Sequence, residues 1–531
     1  MQLILIITAL ALKSQLISCE FRFANSYGSN MVLQRAPLSA NVWGFGEEGQ
    51  KVEVTVTNAQ HEVQQTKDTT VKKDWNGNAV WSVKLSPMKA GGPYNVTAKS
   101  NNVQIVLSNL LFGDVWLCSG QSNMQFTVGM STTADEEIAS AQNHSDIRLF
   151  SLNQFASEKP LQDFDLNNVL LKWSVASKDT VGGPAWKYFS ALCWMYGRRL
   201  YDQYKIPIGL VDSDWGGTCA EAWSSPEALA KCGLKKNSVQ TRGDRVRLKR
   251  DVLVERTVYE DSNVDPNSYS VLWNSMIRPF LNMTIKGAIW YQGEHNTIVN
   301  KDYYACVFPE MINNWRKKWF EGTDGSTDQM FPFGFAQLAT VGADFSSKRP
   351  DFAKIRYEQT ANYGYVPNQQ QQNVFMAVAM DLPDDKSPFG SIHPRDKATV
   401  ADRLVLGARA LVYGESSINF QGPIMDTCSL FNYGGNFGIK VAFRNAEKGI
   451  QVKGPTGFEV KASGSTEWTP AEIISPSDDH QSILLSLPFE PSLNVTMVRY
   501  AWSQTPCEYK KCAVYSIEND LPSPPGVCFI P

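Results

Sequence analysis

The chain has 531 residues, more than one hydrophobic core accommodates, and this length indicates roughly two to four domains. Its formal net charge is −3 and 43% of its residues are hydrophobic, values that are ordinary for a globular protein. Neither a basic surface for nucleic acid nor a charged tail is indicated, so we expect no nucleic-acid partner.

The first residues are typical of a secretory signal. A short apolar run spans Leu3 to Leu12, and Lys13 and small or polar residues follow it as far as Cys19. We therefore expect residues 1–19 to be cleaved and the mature chain to begin near Glu20. No later stretch is apolar for long enough to cross a bilayer, so we expect no membrane span in the mature chain.

Two further features agree with passage through the secretory pathway. N-glycosylation triplets occur at Asn95, Asn143, Asn282 and Asn494. Of the ten cysteines, all but Cys19 lie in the predicted mature chain, and this odd number leaves one thiol free or paired elsewhere. Near the C-terminus, the expected disulfide partners are Cys507, Cys512 and Cys528.

The stretch from Phe21 to about Ser108 has the alternation of β-strands. Val52, Val54 and Val56 alternate with polar residues, and turns rich in glycine and proline separate such segments. We predict an N-terminal β domain over residues 20–108. A structural role is favoured for it, and carbohydrate binding is the less favoured alternative.

A predicted strand at residues 106–117 ends abruptly in the small and polar residues 118–123. A strand that ends in a tight turn can lift one side chain clear of its neighbours. Here that side chain is Ser122, whose hydroxyl would stand among backbone N–H groups, a setting that suits a nucleophile. An ordinary strand-to-helix turn is the alternative interpretation.

Strands and helices then alternate as far as residue 418. Further strands are predicted at residues 147–152, 208–211, 285–291, 333–338 and 374–380. Helices are predicted at residues 133–141, opened by a capping box of Thr133 and Glu136, and at 189–200, 309–319 and 394–413. This alternation indicates a parallel sheet covered by helices on both faces, with the active site at the C-terminal ends of its strands.

From about Asn419 the β alternation returns, for example at residues 439–443 and 482–487. We therefore predict a catalytic α/β domain over residues 109–418 and a C-terminal β domain over residues 419–531.

Only five histidines are present, and His295 and His393 are the two at predicted strand-end or loop–helix positions of the α/β part. A base for Ser122 must be an imidazole that an acceptor on its other ring nitrogen orients. We favour His393, because Asp381, Asp384 and Asp385 precede it. A surface or capping histidine is the alternative for each.

Four motifs, in this order, make the pattern specific: FGDVWLCSGQSNM at residues 112–124, WGGTCAEAW at 215–223, WYQGEHN at 290–296 and SPFGSIHPRDK at 387–397. They resemble the motifs of the sialate O-acetylesterases, which belong to the SGNH hydrolase superfamily. The likeness covers nearly the whole chain, and it implies a lysosomal or secreted protein. It implies an α/β fold with a flavodoxin-like parallel sheet and helices on both faces, joined to N-terminal and C-terminal β-sandwich-like domains.

The resemblance also implies a reaction. Ser122 would attack the O-acetyl group of a sialic acid, free or in a sialoglycoconjugate, at the 9-position and related positions, and His393 would take its proton. Water would then hydrolyse the acetyl-serine, with neither a metal nor an organic cofactor. The oxyanion hole would consist of the N–H of Ser122, the N–H of Gly216 or Gly217, and the side-chain amide of Gln292.

The third member of a triad is open, because this family pattern commonly has an aspartate three residues before the histidine and this chain has Gly390 there. We expect Asp384 or Asp385 to serve instead. A backbone carbonyl that orients the ring, leaving a Ser–His dyad, is the alternative.

Substrate contacts are expected from Glu294, His295 and Arg395. Arg395, with Lys397 as a second possibility, would pair with the sialate carboxylate, and helix-surface charges are the alternative for both. An esterase for other acetylated carbohydrates such as acetylxylan, and an inactive sugar-binding protein, are the rival functions. A cysteine hydrolase that uses Cys118 is less favoured, because this residue lies within the predicted strand end.

Overall fold

The computed structural model describes residues 20–74, 76–235, 264–342, 351–433, 436–488 and 495–531. The predicted signal segment 1–19 and the glycosylation triplet at Asn494 lie outside these residues. Within the described part of the chain, no helix combines the length and the apolar character that crossing a bilayer requires.

The N-terminal region is built of β-strands. They are β1 (Arg22–Phe23), β2 (Val32–Gln34), β3 (Asn41–Phe45), β4 (Lys51–Asn58), β5 (Val63–Thr70), β6 (Lys72–Lys73), β7 (Ala79–Lys84) and β8 (Gly91–Ser100). One sheet has the order β1-β3-β7-β6, and β4 pairs with β5 and β8. Val52, Val54 and Val56 point inward and are fully buried, as their alternation predicts.

One strand joins this region to the rest of the protein. Strand β9 (Val103–Gly120) is 18 residues long. Its first half pairs antiparallel with β8, and its second half enters the central parallel sheet. All residues from Leu110 to Gly120 are buried, because both faces of that sheet are covered. The strand is continuous through Ser108, the predicted domain boundary, and the boundaries themselves stay predictions.

The central sheet also contains β10 (Ile147–Leu152), β11 (Val169–Val175), β12 (Ile208–Asp214), β13 (Gly287–Tyr291), β14 (Phe333–Gln337) and β15 (Val374–Val378). Its order is β11-β10-β12-β9-β13-β14-β15, and only the edge strand β11 is antiparallel to its neighbour. The chain leaves β9 toward β10 and β12 on one side and returns to β13 on the other. The end of β9 is therefore a topological switch point, where such sheets form their sites.

Helices cover both faces of this sheet. They are α1 (Ser122–Gln125), α2 (Ala134–Ala141), α3 (Lys178–Val181), α4 (Ala191–Tyr204), α5 (Pro226–Lys231), α6 (Tyr304–Gly322), α7 (Phe352–Glu358) and α8 (Lys397–Leu411). On one face Tyr196 of α4 packs edge-on against Trp116, and α8 packs beside α4. On the other face Phe308 of α6 packs against Phe333.

Helix α6 begins earlier and α8 begins later than the sequence predicts, and one predicted capping box is absent. Helix α6 begins at Tyr304, so Pro309 lies inside it rather than in its first turn. Helix α8 begins at Lys397 and not at Pro394, because the side chain of Asp396 caps it by accepting from the N–H of Thr399 at 2.9 Å. The predicted capping box of α2 is not formed, since the side chain of Thr133 makes no capping hydrogen bond.

The C-terminal region is again β-structure. Its strands are β16 (Ile424–Tyr433), β17 (Asn436–Arg444), β18 (Ile450–Val452), β19 (Phe458–Ala462), β20 (Thr469–Ala471), β21 (Ile473–Pro476), β22 (Ser482–Ser486), β23 (Val495–Tyr500), β24 (Val514–Ser516) and β25 (Gly526–Phe529). Two four-stranded sheets have the orders β16-β17-β22-β21 and β20-β19-β23-β25, and β18 pairs with β24.

Within the described ranges, four disulfides join Cys118 to Cys193, Cys232 to Cys306, Cys428 to Cys528 and Cys507 to Cys512. Cys219 is buried with a free thiol, which confirms that the odd number of cysteines leaves one unpaired. Cys118 ties β9 to α4 and is therefore no thiol nucleophile. Such bonds persist in oxidising compartments, which fits a secreted or lysosomal protein.

A buried ion pair anchors the C-terminal region to the α/β core. Asp381 is fully buried, and both of its carboxylate oxygens accept from the guanidinium of Arg403, at 2.6 and 2.8 Å. The hydroxyl of Tyr515 in β24 donates to the same carboxylate at 2.9 Å, and the N–H of Lys510 donates to the Asp381 carbonyl at 2.7 Å. Asp381 is therefore a structural carboxylate.

We predict that Asp381→Ala lowers the free energy of unfolding by about 3–5 kcal/mol, because it leaves the Arg403 guanidinium buried without its partner. Urea unfolding monitored by tryptophan fluorescence measures the loss. Asp426→Ala is the matched control, since the Asp426–Arg444 pair is about half exposed, and it should cost about 1 kcal/mol or less. Equal losses in the two variants would contradict the structural role of Asp381.

Candidate active site

Three loops meet at the end of β9. Residue Gly120 pairs with Asp214 at the end of β12 and with Tyr291 at the end of β13. A Cβ atom on Gly120 would lie 2.2 Å from the carbonyl oxygen of Tyr291, and its φ is +145°, so only glycine fits there. This close approach brings the turn that carries Ser122 between the loops that follow β12 and β13.

The structure brings Ser122 and His393 together, although 271 positions separate them. The Nε2 atom of His393 lies 2.8 Å from the Oγ atom of Ser122. The Nδ1 atom lies 2.7 Å from the carbonyl oxygen of Phe389. Because a carbonyl only accepts, Nδ1 carries the proton, and the Nε2 lone pair of the neutral ring accepts from the Ser122 hydroxyl.

The loop that carries His393 is closed on itself. The N–H of His393 donates to the carbonyl of Gly390 at 2.9 Å, and the hydroxyl of Ser387 donates to the carbonyl of His393 at 2.8 Å. Gly390 has a φ of +84°, in the left-handed region that favours glycine. This tight turn brings the Phe389 carbonyl under the imidazole, in the place where the family pattern would supply a carboxylate.

The structure does not bring Asp384 or Asp385 to the imidazole. Both carboxylate oxygens of Asp384 accept from Arg395, from its Nε at 2.6 Å and its Nη2 at 2.8 Å, and one of them also accepts from its backbone N–H at 3.1 Å. These bonds lower the pKa of Asp384. Asp385 is exposed, and no hydrogen bond joins it to His393 within the described ranges. The acceptor on Nδ1 is therefore a carbonyl and not the expected carboxylate.

Burial controls the protonation of the base. His393 is only 6% exposed, and loss of hydration lowers its pKa to about 4. The ammonium of Lys397 acts in the same direction, whereas the hydrogen bond to Phe389 acts against it. The imidazole therefore stays neutral, and able to accept a proton, at pH values well below the ordinary pKa of histidine.

One expected oxyanion donor lies beside the nucleophile. A Cβ atom on Gly216 would lie 3.2 Å from the Cβ of Ser122. Its N–H donates to Oε1 of Gln125 at 2.9 Å, so a side chain of the protein already occupies this donor. Gly217 has a φ of +71°, and its carbonyl accepts from Asn267 at 3.0 Å.

Gln292 does not offer a free donor. Both hydrogens of its amide are used, one toward the carbonyl of Thr218 at 3.0 Å and one toward Oδ1 of Asn296 at 2.7 Å. The hydroxyl of Tyr304 donates to its Oε1 at 3.0 Å. In this structure Gln292 therefore braces the loops after β12 and β13 and does not point an N–H into the site.

The expected substrate contacts differ in accessibility. Glu294 is 3% exposed and accepts from Asn123, and Lys397 is 1% exposed and donates to Asn123. The guanidinium of Arg395 is partly exposed but held by Asp384. His295 is partly exposed, and its backbone N–H donates to Gln121 at 3.3 Å.

One aromatic side chain beside the site, that of Trp186, was not predicted from the sequence. The ring of Trp186 lies 4.9 Å from the imidazole of His393 and is partly exposed. Its carbonyl accepts from Gln125 at 2.9 Å, and its φ is +64°, a strained value for a bulky residue. No periodicity or motif marks Trp186, whereas two tryptophans in the motifs, Trp223 and Trp290, are fully buried core residues.

Three glycosylation triplets lie in the described part of the chain. Asn143 is exposed after α2, Asn95 is partly buried in β8, and Asn282 is partly buried. The carbonyl of Asn282 accepts from the side chain of Asn41 at 2.7 Å. Their glycosylation stays a prediction.

Known proteins match this chain over nearly its whole length. It is 42% identical to sialate O-acetylesterase of Homo sapiens over 520 residues, which cover 96% of this chain and 93% of the human protein. It is also 42% identical to the Mus musculus enzyme of that name over 545 residues, with 99% and 97% covered. A family model for the sialate O-acetylesterase C-terminal domain matches residues 433–530.

The chain belongs to the sialate O-acetylesterase family. The resemblance inferred from the four motifs is thereby confirmed, and so is the expectation that this member of the family is an esterase.

A solved structure supports the fold of this family member. The crystal structure of a carbohydrate acetylesterase from Xanthomonas citri superposes with a TM-score of 0.73 at 24% identity, covering 95% of this chain and 99% of that one. The predicted α/β fold of the SGNH type is confirmed. Among the residues described here, no cluster of three or more His, Cys, Asp or Glu side chains could hold a metal ion.

We predict that the acid limb of kcat/KM for a chromogenic acetate ester lies near pH 4. A general base acts in its neutral form, and burial lowers the pKa of His393 to about 4, so activity is lost only as the pH falls through that value. The pH dependence of initial rates measures the limb. His480→Gln, at an exposed site in the C-terminal region, should leave it in place, and a wild-type limb near the ordinary histidine pKa would contradict the prediction.

Proposed function

We propose that this chain is a serine esterase that hydrolyses O-acetyl esters of sialic acids and releases acetate. The observation that carries the proposal is the 2.8 Å hydrogen bond between Ser122 and a neutral His393, in a chain 42% identical to human sialate O-acetylesterase. The substrate class comes from the relatives, and the chemistry comes from the site.

Acylation begins when Oγ of Ser122 attacks the acetyl carbonyl carbon. Nε2 of His393 takes the hydroxyl proton, and the carbonyl oxygen becomes an oxyanion. The tetrahedral intermediate collapses, the bond to the sugar oxygen breaks, and the imidazolium returns its proton to that oxygen. Ser122 then carries the acetyl group, and the deacetylated sugar leaves.

Deacylation repeats these steps with water. His393 takes a proton from water as the hydroxide oxygen attacks the acetyl-serine carbonyl, and it then protonates Oγ of Ser122 as acetate leaves. The Phe389 carbonyl holds the ring by Nδ1 throughout, so Nε2 faces Ser122 in both halves of the reaction. No group outside the chain other than water is required by this sequence of steps.

The oxyanion requires donors fixed in advance. Ser122 is the first residue of α1, where backbone N–H groups have no acceptor within the helix, so its own N–H is the first donor. The N–H of Gly216 is the second, and the substrate oxygen must take the place that Oε1 of Gln125 holds in the free enzyme. Each such donor contributes on the order of 2.7–4 kcal/mol to lowering the barrier.

The sugar is expected to contact the partly exposed ring of Trp186, since aromatic faces bind the apolar faces of sugars. A partly exposed His295 is available for a polar contact with the substrate. Sialoglycoconjugates of the secretory and lysosomal pathway are the proposed substrates. A base that stays neutral in acid suits a lysosomal destination as well as a secreted one.

We predict that wild-type protein releases acetate from 9-O-acetylated sialic acid, and that Ser122→Ala and His393→Ala each lower kcat by at least about 10³-fold. Each variant removes one of the two groups that form and break the acetyl-serine. Enzymatic acetate determination measures the rate, with Ser174→Ala and His480→Gln as matched controls.

Acetylated xylan is the control substrate in the same assay. Release from xylan but not from the sialate would contradict the substrate class and keep the serine mechanism. No release from either substrate would contradict the esterase itself and favour a sugar-binding protein.

We predict that Asp384→Asn keeps kcat within about tenfold of wild type, because the Nδ1 proton of His393 is held by the Phe389 carbonyl. Loss of a true triad carboxylate costs about 10⁴-fold, so the two cases differ clearly. Steady-state kinetics on a chromogenic acetate ester measure the effect, with Asp385→Asn in parallel. A 10³-fold or larger loss in either variant would restore a carboxylate as the third group.

A further inference from the structure

The buried side-chain amide of Asn123 joins the turn that carries Ser122 to the loop that carries His393. Asn123 directly follows the nucleophile and is fully buried. Its Nδ2 donates to the carbonyl of Ile392 at 3.0 Å and to Oε1 of Glu294, and its Oδ1 accepts from Nζ of Lys397 at 2.9 Å. The amide therefore contacts the loop before α8, the loop after β13 and the first residue of α8.

Lys397 holds the same loop from its other side. Its ammonium also donates to the carbonyl of Pro394 and lies 4.3 Å from the centre of the Phe126 ring. Ile392 and Pro394 are the two neighbours of His393 in the chain. The Asn123 amide and the Lys397 ammonium thus fix the peptide groups on both sides of the base.

The charges on the two ends of this amide are opposite and match its dipole. The Lys397 cation faces the amide oxygen, and the Glu294 carboxylate faces the amide nitrogen. The other carboxylates that act on Lys397 are Asp396 and Asp384. Burial lowers the pKa of Lys397 to about 7 and raises that of Glu294, so retaining these charges is costly.

Stability alone does not account for such a group, because a buried ionic network is often no more stabilising than an apolar core. Substrate binding does not account for it either, since Glu294 and Lys397 are 3% and 1% exposed. The second carboxylate oxygen of Glu294 is buried without a hydrogen-bond partner among the described residues. The contacts of the network instead join the turn that carries Ser122 to the loop that carries His393.

We propose that Lys397, Asn123 and Glu294 form a positioning relay that holds the Ser122 turn against the His393 loop and keeps a positive charge near the imidazole. The relay takes over the positioning that a triad carboxylate provides, while the Phe389 carbonyl fixes only the ring itself. These three side chains are positioning residues, because none of them touches the reacting atoms. The proposal rests on the proposed esterase function.

Lys397→Met tests the relay, because methionine fills similar space and removes the charge. We expect kcat on a chromogenic acetate ester to fall by about 10- to 100-fold with KM little changed, since the Ser122 hydroxyl and the His393 imidazole are no longer held in their reactive geometry. We also expect the acid limb of kcat/KM to move to higher pH, because a cation that disfavours the imidazolium is gone. A raised KM at unchanged kcat would overturn the relay and make Lys397 a substrate contact.

Asn123→Leu should reproduce the loss in kcat, and the double variant should be little worse than either single one, because each removes the same connection. If the fold-loss of kcat in the double variant equals the product of the two single losses, the relay is overturned. Lys386→Met, an exposed lysine near the same loop, is the matched control and should keep wild-type kinetics.

A variant that fails to fold is replaced by Glu294→Gln, which keeps an oxygen for the Asn123 amide and removes only the charge. Circular dichroism and urea unfolding establish that each variant is folded. We expect a several-fold lower kcat for Glu294→Gln, and wild-type kcat with an unshifted acid limb would overturn the relay. Active wild-type protein with unaffected variants overturns the relay alone, whereas inactive wild-type protein overturns the proposed esterase function.

Discussion

A hydrogen bond between two side chains that lie 271 positions apart is the constraint on which the rest of the structure depends. Oγ of Ser122 and Nε2 of His393 meet at 2.8 Å. Their contact lies at the end of β9, the switch point of a parallel sheet, where the loops after β12 and β13 also lie. Strand β9 is long, buried at this end and tied to α4 by a disulfide, so the turn that it carries is fixed on a rigid base. The His393 loop is then brought to it by its own hydrogen bonds and by the contacts of Asn123 and Lys397.

The choice of a carbonyl rather than a carboxylate behind the imidazole has a chemical consequence. Both acceptors fix the tautomer, but a carbonyl carries no full charge and stabilises the imidazolium less. Burial and the Lys397 cation therefore prevail, and the pKa of His393 is lowered to about 4. The base is weaker than one in an Asp-supported triad, but it keeps its neutral form in acid.

Most of the fold and the two reacting side chains could be predicted from sequence, because burial periodicity marks strands and the polar strand ends mark the site. Strand β10 lies where the apolar run placed it, and Ser122 and His393 meet as the motifs implied. Hydrogen-bond partners could not be predicted, because periodicity shows which side chains are buried but not which acceptor each one reaches. Asp384 pairs with Arg395 and not with the imidazole for this reason. The position of Trp186 depends on a loop conformation that no local pattern encodes.

The tautomer and charge of His393 are the most direct test of this account, and only five histidines are present in the chain. Protein labelled with ¹⁵N at histidine gives ring-nitrogen chemical shifts that distinguish a protonated from an unprotonated nitrogen, and His393→Gln assigns the signals. The account predicts a neutral ring at neutral pH, with the proton on Nδ1 toward Phe389 and a bare Nε2 toward Ser122. An imidazolium at neutral pH, or a neutral ring with its proton on Nε2, would contradict it.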